Sequence, residues 1–230
     1  MKPLGKRAYG SIPHLRGSRL GESESHIHEG QERILTEKKR DKHDRIIVTE
    51  KLDGSNCAIA KLNSEIIPLI RAGYIANTSP FVQHHYFYDW VMKNKILFGE
   101  ILNDDEWISG EWMIQAHGTR YNIAFPFYVF DFFRGGERVL YEELQNITEK
   151  RLPLPSLMTN NYEPVSINDV ERWLGTHGRH GAVDKSEGAV WRCERKGHVD
   201  FLAKYVRPDK VDGVYMKIEP PVWNFPLSQL

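Results

Sequence analysis

Between Arg45 and Leu62 the chain reads RIIVTEKLDGSNCAIAKL. Two β-branched, apolar runs flank a short break that contains Asp-Gly. Asp-Gly between such runs is a strong local signal for a turn, so two strands joined across Leu52 to Ser55 are expected. Lys51 stands just before that turn, where a lysine ordinarily keeps a strand soluble. The same texture continues downstream. IIPLIRAGY reads as a third strand, with Pro68 marking an edge or an irregularity. WISGEWMI, PFYVFDFF, GAVWRCE and VDFLAKYVR read as further strands. Phe81, His85, Tyr88, Met92 and Ile96 recur at steps of three and four, which predicts one helix from Pro80 to Leu102 with Ser79 as its cap. YEELQNITEK and INDVERWL read as helices, the second capped by Ser166. The strands follow one another as meanders rather than βαβ units. That order predicts an α+β fold, with antiparallel β-sheets flanked by helices.

Residues 1–44 are polar and end in TEKKRDKHD. They are expected to be an N-terminal extension of loops and a short helix, ordered on contact with the main domain or a ligand. Residues 45–230 are expected to form one domain, with no OB-fold domain following. The 31 basic residues balance 31 acidic ones. A nucleotide or nucleic-acid site must therefore be a local patch and not a global field. Cys57 and Cys193 are far apart and form no CxxC, which excludes a disulfide framework and a cysteine zinc site. No run reaches the length of a membrane span, and MKPLGKRAYG lacks the apolar core of a signal peptide. A cytoplasmic protein without a membrane partner is expected.

Five pieces place polar residues inside apolar, strand-like surroundings: EKLDGS, IRAGY, SGEW, SEGAVWR and FLAKYVR. Taken singly, each has a plain reading. Glu111 is a rim charge, Glu187 a turn residue, Arg71 and Lys204 solvated residues of a sheet face. Their order carries more than any one of them. Lys-x-Asp-Gly, Arg-x-Gly, Gly-Glu, an aromatic-Asp strand, Glu-Gly and a strand lysine resemble the motifs of the covalent nucleotidyltransferase superfamily, which contains ATP-dependent polynucleotide ligases and mRNA capping enzymes. Within it the chain looks most like the RNA ligase family, over roughly Glu50 to Arg207. The last superfamily motif usually has two lysines separated by one residue. Here AKYVR offers Lys204 and, three residues on, Arg207.

The resemblance implies the ATP-grasp-like nucleotidyltransferase domain of ligases. It implies an enzyme that joins 5′-phosphate to 3′-hydroxyl RNA ends through a lysyl-AMP intermediate, using ATP with Mg²⁺ or Mn²⁺. Nicked or broken RNA would be its partner, together with end-processing repair enzymes. Lys51 would be the nucleophile and Lys204 the cation at the α-phosphate, helped by Arg207. A free lysine is protonated at neutral pH, and burial beside the cations Arg71 and Lys204 is expected to lower that pKa. Glu50 and Leu52 would flank the nucleotide, Arg71 would meet the ribose or the strand phosphate, and Glu111 the ribose hydroxyls. Phe130, or a neighbour in the same strand, would stack on adenine, with a core aromatic as the alternative. Glu187 would hold the metal. Asp53 is expected to anchor the turn. His26 and His28 are expected in a solvated loop, as is Arg19. His117 and Arg120 follow the Gly-Glu motif. A GTP-dependent capping guanylyltransferase and a nucleotide- or nucleic-acid-binding module without turnover are the alternatives.

Overall fold

The computed structural model describes residues 1–149, 151–159 and 161–230. The chain runs α1 (Glu29–Thr36), β1 (Asp44–Lys51), β2 (Ser55–Leu62), β3 (Glu65–Ile70), α2 (Val82–Lys93), α3 (Lys95–Ile101), β4 (Glu106–Trp112), β5 (Phe127–Arg134), β6 (Glu137–Arg138), α4 (Tyr141–Thr148), α5 (Ile167–Leu174), β7 (Gly188–Arg195) and β8 (His198–Val206). The strands form two antiparallel sheets. One has the order β1-β7-β8 and the other β3-β2-β4-β5-β6. The expected α+β class with antiparallel sheets is the one observed. Lys150, at the end of the expected YEELQNITEK helix, lies outside the described residues.

The expected β1–β2 hairpin does not form. Every residue of β1 pairs with β7, from Asp44 opposite Arg195 to Lys51 opposite Gly188. β2 pairs instead with β3 and β4. The reason lies in the turn and in the partners of β1. A two-residue hairpin needs positive φ in its turn, and neither Asp53 nor Gly54 has it. Lys196 and Gly197 both do, at 49° and 82°, and there β7 folds back onto β8. β1 is also buried on both faces. Ile46 and Val48 pack with Leu35, Val170 and Trp191, while Ile47 joins the larger core with Ile59, Phe87 and Trp112. The edge of β1 away from β7 is also taken, since the Ile46 and Glu50 N–H groups donate to the Tyr162 and Ser156 carbonyls and the Met158 N–H donates to the Val48 carbonyl, so no edge of β1 is left for β2. Leu52–Gly54 therefore cross from one sheet to the other.

Pro68 sits on β3, the edge of the five-stranded sheet, as its missing N–H requires. Ser166 caps α5 by accepting from the Asp169 N–H at 3.2 Å. The expected long helix is broken at Asn94 into α2 and α3, and their buried residues are Gln83, Phe87, Val91, Phe98 and Ile101. Phe81 and Ile96, placed on the expected inner face, are exposed. Apolar residues occupy most faces of this segment, so several phases of a 3.6 period fit it. The N-terminal segment contains the expected short helix, α1. It also contributes to two cores. Leu15 and Ile27 are buried with Trp191, and Ala8 and Tyr9 with Trp107 and Phe133.

Candidate active site

The crossover sets Lys51 where the two sheets face each other. Lys51 ends β1 opposite Gly188, which puts it beside Glu187, the residue before Gly188. Its Nζ donates to Glu187 Oε2 at 2.7 Å, and its side chain is 22% exposed. Gly54 is required by close approach, since a Cβ there would lie 2.5 Å from the Trp112 carbonyl oxygen. That approach lets the Gly54 N–H donate to Glu111 Oε1 at 3.0 Å. Asp53 Oδ2 accepts from the Gly118 N–H at 2.8 Å and from Lys210 Nζ at 2.6 Å, so this side chain anchors the crossover.

Three carboxylates thus surround one amine. Burial tends to lower the Lys51 pKa, but the charges of Glu187, Glu111 and Asp53 outweigh it, and the net shift is upward. This corrects the expectation of a lowered value. Lys204 is near enough to oppose the shift, yet the nearest charges are anions. Lys51 is an ammonium held by Glu187. The carboxyls of Glu111 and Glu187 are pushed up to about 7. Burial is the main cause, the neighbouring anions add to it, and Lys51 offsets part of it.

Two connected cavities open on Lys51. The smaller is largely apolar and reaches between the sheets. Ile47, Leu52, Val129, Phe130 and Pro155 line it, with Glu50, Glu111 and Lys204 at its polar end. Phe130 is turned inward by a bulge in β5. Ser109 pairs with Asp131 and Gly110 with Val129, which leaves Phe130 unpaired between them. Its ring meets Tyr9 edge-on, with centroids 5.0 Å apart. The larger cavity is an open cleft of about 740 Å³ bordered by Lys51, Arg71, Glu187, His117 and Lys204.

Glu50 is 1% exposed, accepts from the Arg179 N–H at 2.8 Å, and leaves Oε1 without a partner among the described residues. Burial raises its carboxyl to about 7 from an ordinary 4.5. Between those values the folded protein keeps this proton and the unfolded chain releases it. Stability therefore falls as pH rises through that window and is lowest once both states are ionised. Glu50→Gln should flatten this fall by about 1–3 kcal/mol between pH 5 and pH 8. Denaturant midpoints across that range check it, and parallel curves for the two proteins would contradict it.

Residues 8–15 bridge the mouth of the site. The Ala8 and Tyr9 N–H groups donate to the Arg71 carbonyl at 3.1 and 3.3 Å. Lys204 N–H donates to the Pro13 carbonyl, and Leu15 N–H to the Lys204 carbonyl, both at 2.9 Å. The segment so joins the end of β3 to the free edge of β8, and Tyr9 and Ile12 line both cavities. Lys204 Nζ donates to Glu24, and His14 Nε2 lies 2.9 Å from the same carboxylate.

Of the residues singled out in the sequence, Glu50, Lys51, Leu52, Arg71, Glu111, Phe130, Glu187 and Lys204 line one or both cavities. Arg207 does not. Its guanidinium donates to the Gly175 carbonyl and to Ser186 Oγ, facing the end of α5. Arg120 is paired with Asp184 at 2.8 Å, and Arg19 with Asp212. His28 caps α1 by accepting from the Gly30 N–H at 3.2 Å. His117 lies on the cleft wall, 3.2 Å from Ser55 Oγ. Lys210 escaped the sequence reading. It follows the last strand in PDKVDG, with no apolar flank to mark it, and is buried against Asp53. Among the described residues no three His, Cys, Asp or Glu side chains gather as a metal cage. Mg²⁺ is nonetheless commonly held by only one or two protein carboxylates, and Glu187, on the cleft wall 2.7 Å from Lys51 Nζ, is a carboxylate that could serve so once ionised. No helix of the described residues is long and apolar enough to cross a membrane.

The chain shares this fold with solved ligases. A Naegleria gruberi RNA ligase with pyrophosphate superposes with a TM-score of 0.55 at 17% identity, over 71% of this chain and 49% of that one. A point variant of a Naegleria gruberi RNA ligase with ATP and Mn gives 0.58 at 15%, over 84% and 59%. An archaeal ATP-dependent RNA ligase gives 0.52 at 20%, over 86% and 48%. The chain thus spans about half the length of the ligases it matches. No curated protein sequence matches it. The RNA ligase family pattern matches residues 44–206, from the first residue of β1 to the last of β8, and leaves out residues 8–15 at the mouth of the cleft. The chain belongs to the RNA ligase family.

Proposed function

We propose that the protein is an ATP-dependent RNA ligase that works through a lysyl-AMP intermediate at Lys51. The observation that carries this reading is the placement of Lys51. Its amine stands at the junction of an apolar, Phe130-lined slot and an open cleft bordered by Arg71, with Lys204 reaching both. The adenine lies in the slot against Phe130, with the unpartnered Oε1 of Glu50 as a polar contact in its wall. Glu111 accepts from the ribose hydroxyls. The α-phosphate lies at the junction, where Lys51 Nζ attacks phosphorus, the bond to pyrophosphate breaks, and the amine gives up its proton. Glu187, 2.7 Å from Nζ, orients the amine and is the nearest acceptor for that proton. Lys204 neutralises charge that develops on the α-phosphate oxygens. A bound Mg²⁺ or Mn²⁺, held by Glu187, supplies further positive charge to the phosphates.

The second step returns the Lys51 amine. A 5′-phosphate oxygen of the strand attacks the lysyl-AMP phosphorus and the P–N bond breaks. In the third, a 3′-hydroxyl attacks the strand's 5′-phosphorus and AMP leaves. ATP, the divalent metal and the RNA strand in this scheme are supported by family membership and by the ligands of the similar ligases. Incubation of a 5′-phosphorylated, 3′-hydroxyl RNA with the protein, ATP and Mg²⁺ tests it. Joined strands are expected, and failure with every metal and RNA form, single-stranded or nicked, would remove the ligase assignment.

Glu187→Gln separates the two uses of that carboxylate. Loss of the charge that most raises the Lys51 pKa should shift the pH profile of adduct formation to lower pH. Loss of a metal ligand should raise the Mg²⁺ concentration needed for half-maximal rate, by about ten-fold. A profile and a metal curve that both match the wild type would return Glu187 to a structural role.

A further inference from the structure

The cleft carries two features that adenylate chemistry does not use. The first is Phe81, which precedes α2 and borders the same cleft as Lys51 and Arg71. Its ring is 52% exposed. On its own helix it touches His84 edge-on, with centroids 5.9 Å apart and planes at 89°, and His84 is in turn fixed by Ser79 Oγ at 2.7 Å from Nδ1. The ring is held in place with a face left open. The second is Arg7, exposed on the cleft wall beside the turn after β3. Lys51, Lys204 and Lys210 each have a carboxylate partner. Arg7 has none among the described residues, and Arg71 donates only to the Gly10 carbonyl and Ser11 Oγ.

An open aromatic face beside uncompensated cations is the surface that single-stranded nucleic acid prefers. The base stacks on the ring and the arginines take the phosphates. We propose that Phe81 and Arg7 form a strand subsite, in which an unpaired nucleotide at the RNA end stacks on Phe81 with a neighbouring phosphate on Arg7. The proposal rests on the ligase reading above and names where the strand enters. Arg71, on the wall of the same cleft, would receive a further phosphate.

The test uses a short 5′-phosphorylated oligoribonucleotide, with binding read by fluorescence anisotropy at several salt concentrations. Phe81→Ala should weaken binding about ten-fold or more, and Phe81→Trp should retain it. Phe81→Leu keeps the apolar bulk without the stacking face and should bind as weakly as the alanine variant, which covers the case in which alanine disturbs the fold. Arg7→Ala should lower the salt dependence by about 0.7 in the log–log slope, one phosphate contact on a single strand. Joining of RNA should fall further than adduct formation in each weakened variant. Wild-type binding by Phe81→Leu, or equal loss in Phe81→Trp and Phe81→Leu, would overturn the subsite. The two readings fail separately. A protein that forms no adduct yet binds RNA through Phe81 loses the ligase assignment alone, and one that forms the adduct but binds RNA without regard to Phe81 loses the subsite alone.

Discussion

Lys51→Ala abolishes the covalent protein–AMP adduct and with it all strand joining. The two neighbouring amines are held elsewhere. Lys204 Nζ is engaged by Glu24, and Lys210 Nζ is buried between Asp53 and Thr119. A residual reaction at a nearby amine would need that amine in line with the pyrophosphate leaving group, and positioning of this kind is worth about 7–11 kcal/mol of the barrier. The expected fall is therefore to background. The fold should survive, because Lys51 lies at the edge of a cavity and its backbone pairing with Gly188 is kept. One cost is foreseeable. Removal of the ammonium leaves Glu187 and Glu111 buried without their main compensating charge, and both will take up protons at higher pH than in the wild type. Thermal melting at pH 6 and at pH 8 separates that electrostatic effect from unfolding.

Lys204→Ala should lower the rate of adduct formation about 10²–10³-fold at saturating ATP and metal, as loss of one oxyanion donor does elsewhere. The loss falls on the transition state, so added substrate does not restore it. Lys204 is tied to Glu24 of the N-terminal segment, and that carboxylate is held down to about 2, against the pull of burial, by Lys204, the Gly21 N–H and His14. The phosphate must displace Glu24 or share the lysine with it. The result is read in single-turnover adenylation. A rate that recovers at high ATP would assign Lys204 to ground-state binding. A rate equal to the wild type would make it a partner of Glu24 only.

The sequence carried the strands and the cap of α5 well, because each is a local property, whereas the cap expected at Ser79 is not formed and α2 starts after Phe81 without a side-chain cap. Ser166 capped its helix and Pro68 marked a sheet edge. Strand pairing was not local. The same Asp-Gly signal that predicts a hairpin here serves a crossover, and the difference lies in the sign of φ and in the distant partners that take both edges of β1, neither of which Asp-Gly specifies. The cleft residues were legible as ordered short motifs, and eight of the nine residues expected at the nucleotide and the chemistry line the cavities, all but Arg207. The family resemblance implies a phosphate cation at Arg207, although it lies three residues from Lys204 where the family's second lysine lies two away. Three residues along a strand reverse the face, so the two side chains diverge. The direction of the Lys51 pKa was misjudged for a related reason. Motifs list the charges near a site but not their distances, and one carboxylate at 2.7 Å outweighs a more distant lysine. Residues 8–15 were unreadable as a wall of the site because their partners, Arg71 and Lys204, lie far along the chain.

The most direct test of the central claim is the mass of the protein after incubation with ATP or GTP and Mg²⁺, followed by peptide mapping under conditions that preserve P–N bonds. The account predicts addition of one AMP, located on the peptide that contains Lys51, with GTP giving less. An adduct on another residue, a stronger adduct from GTP, or no adduct with any divalent metal would contradict it.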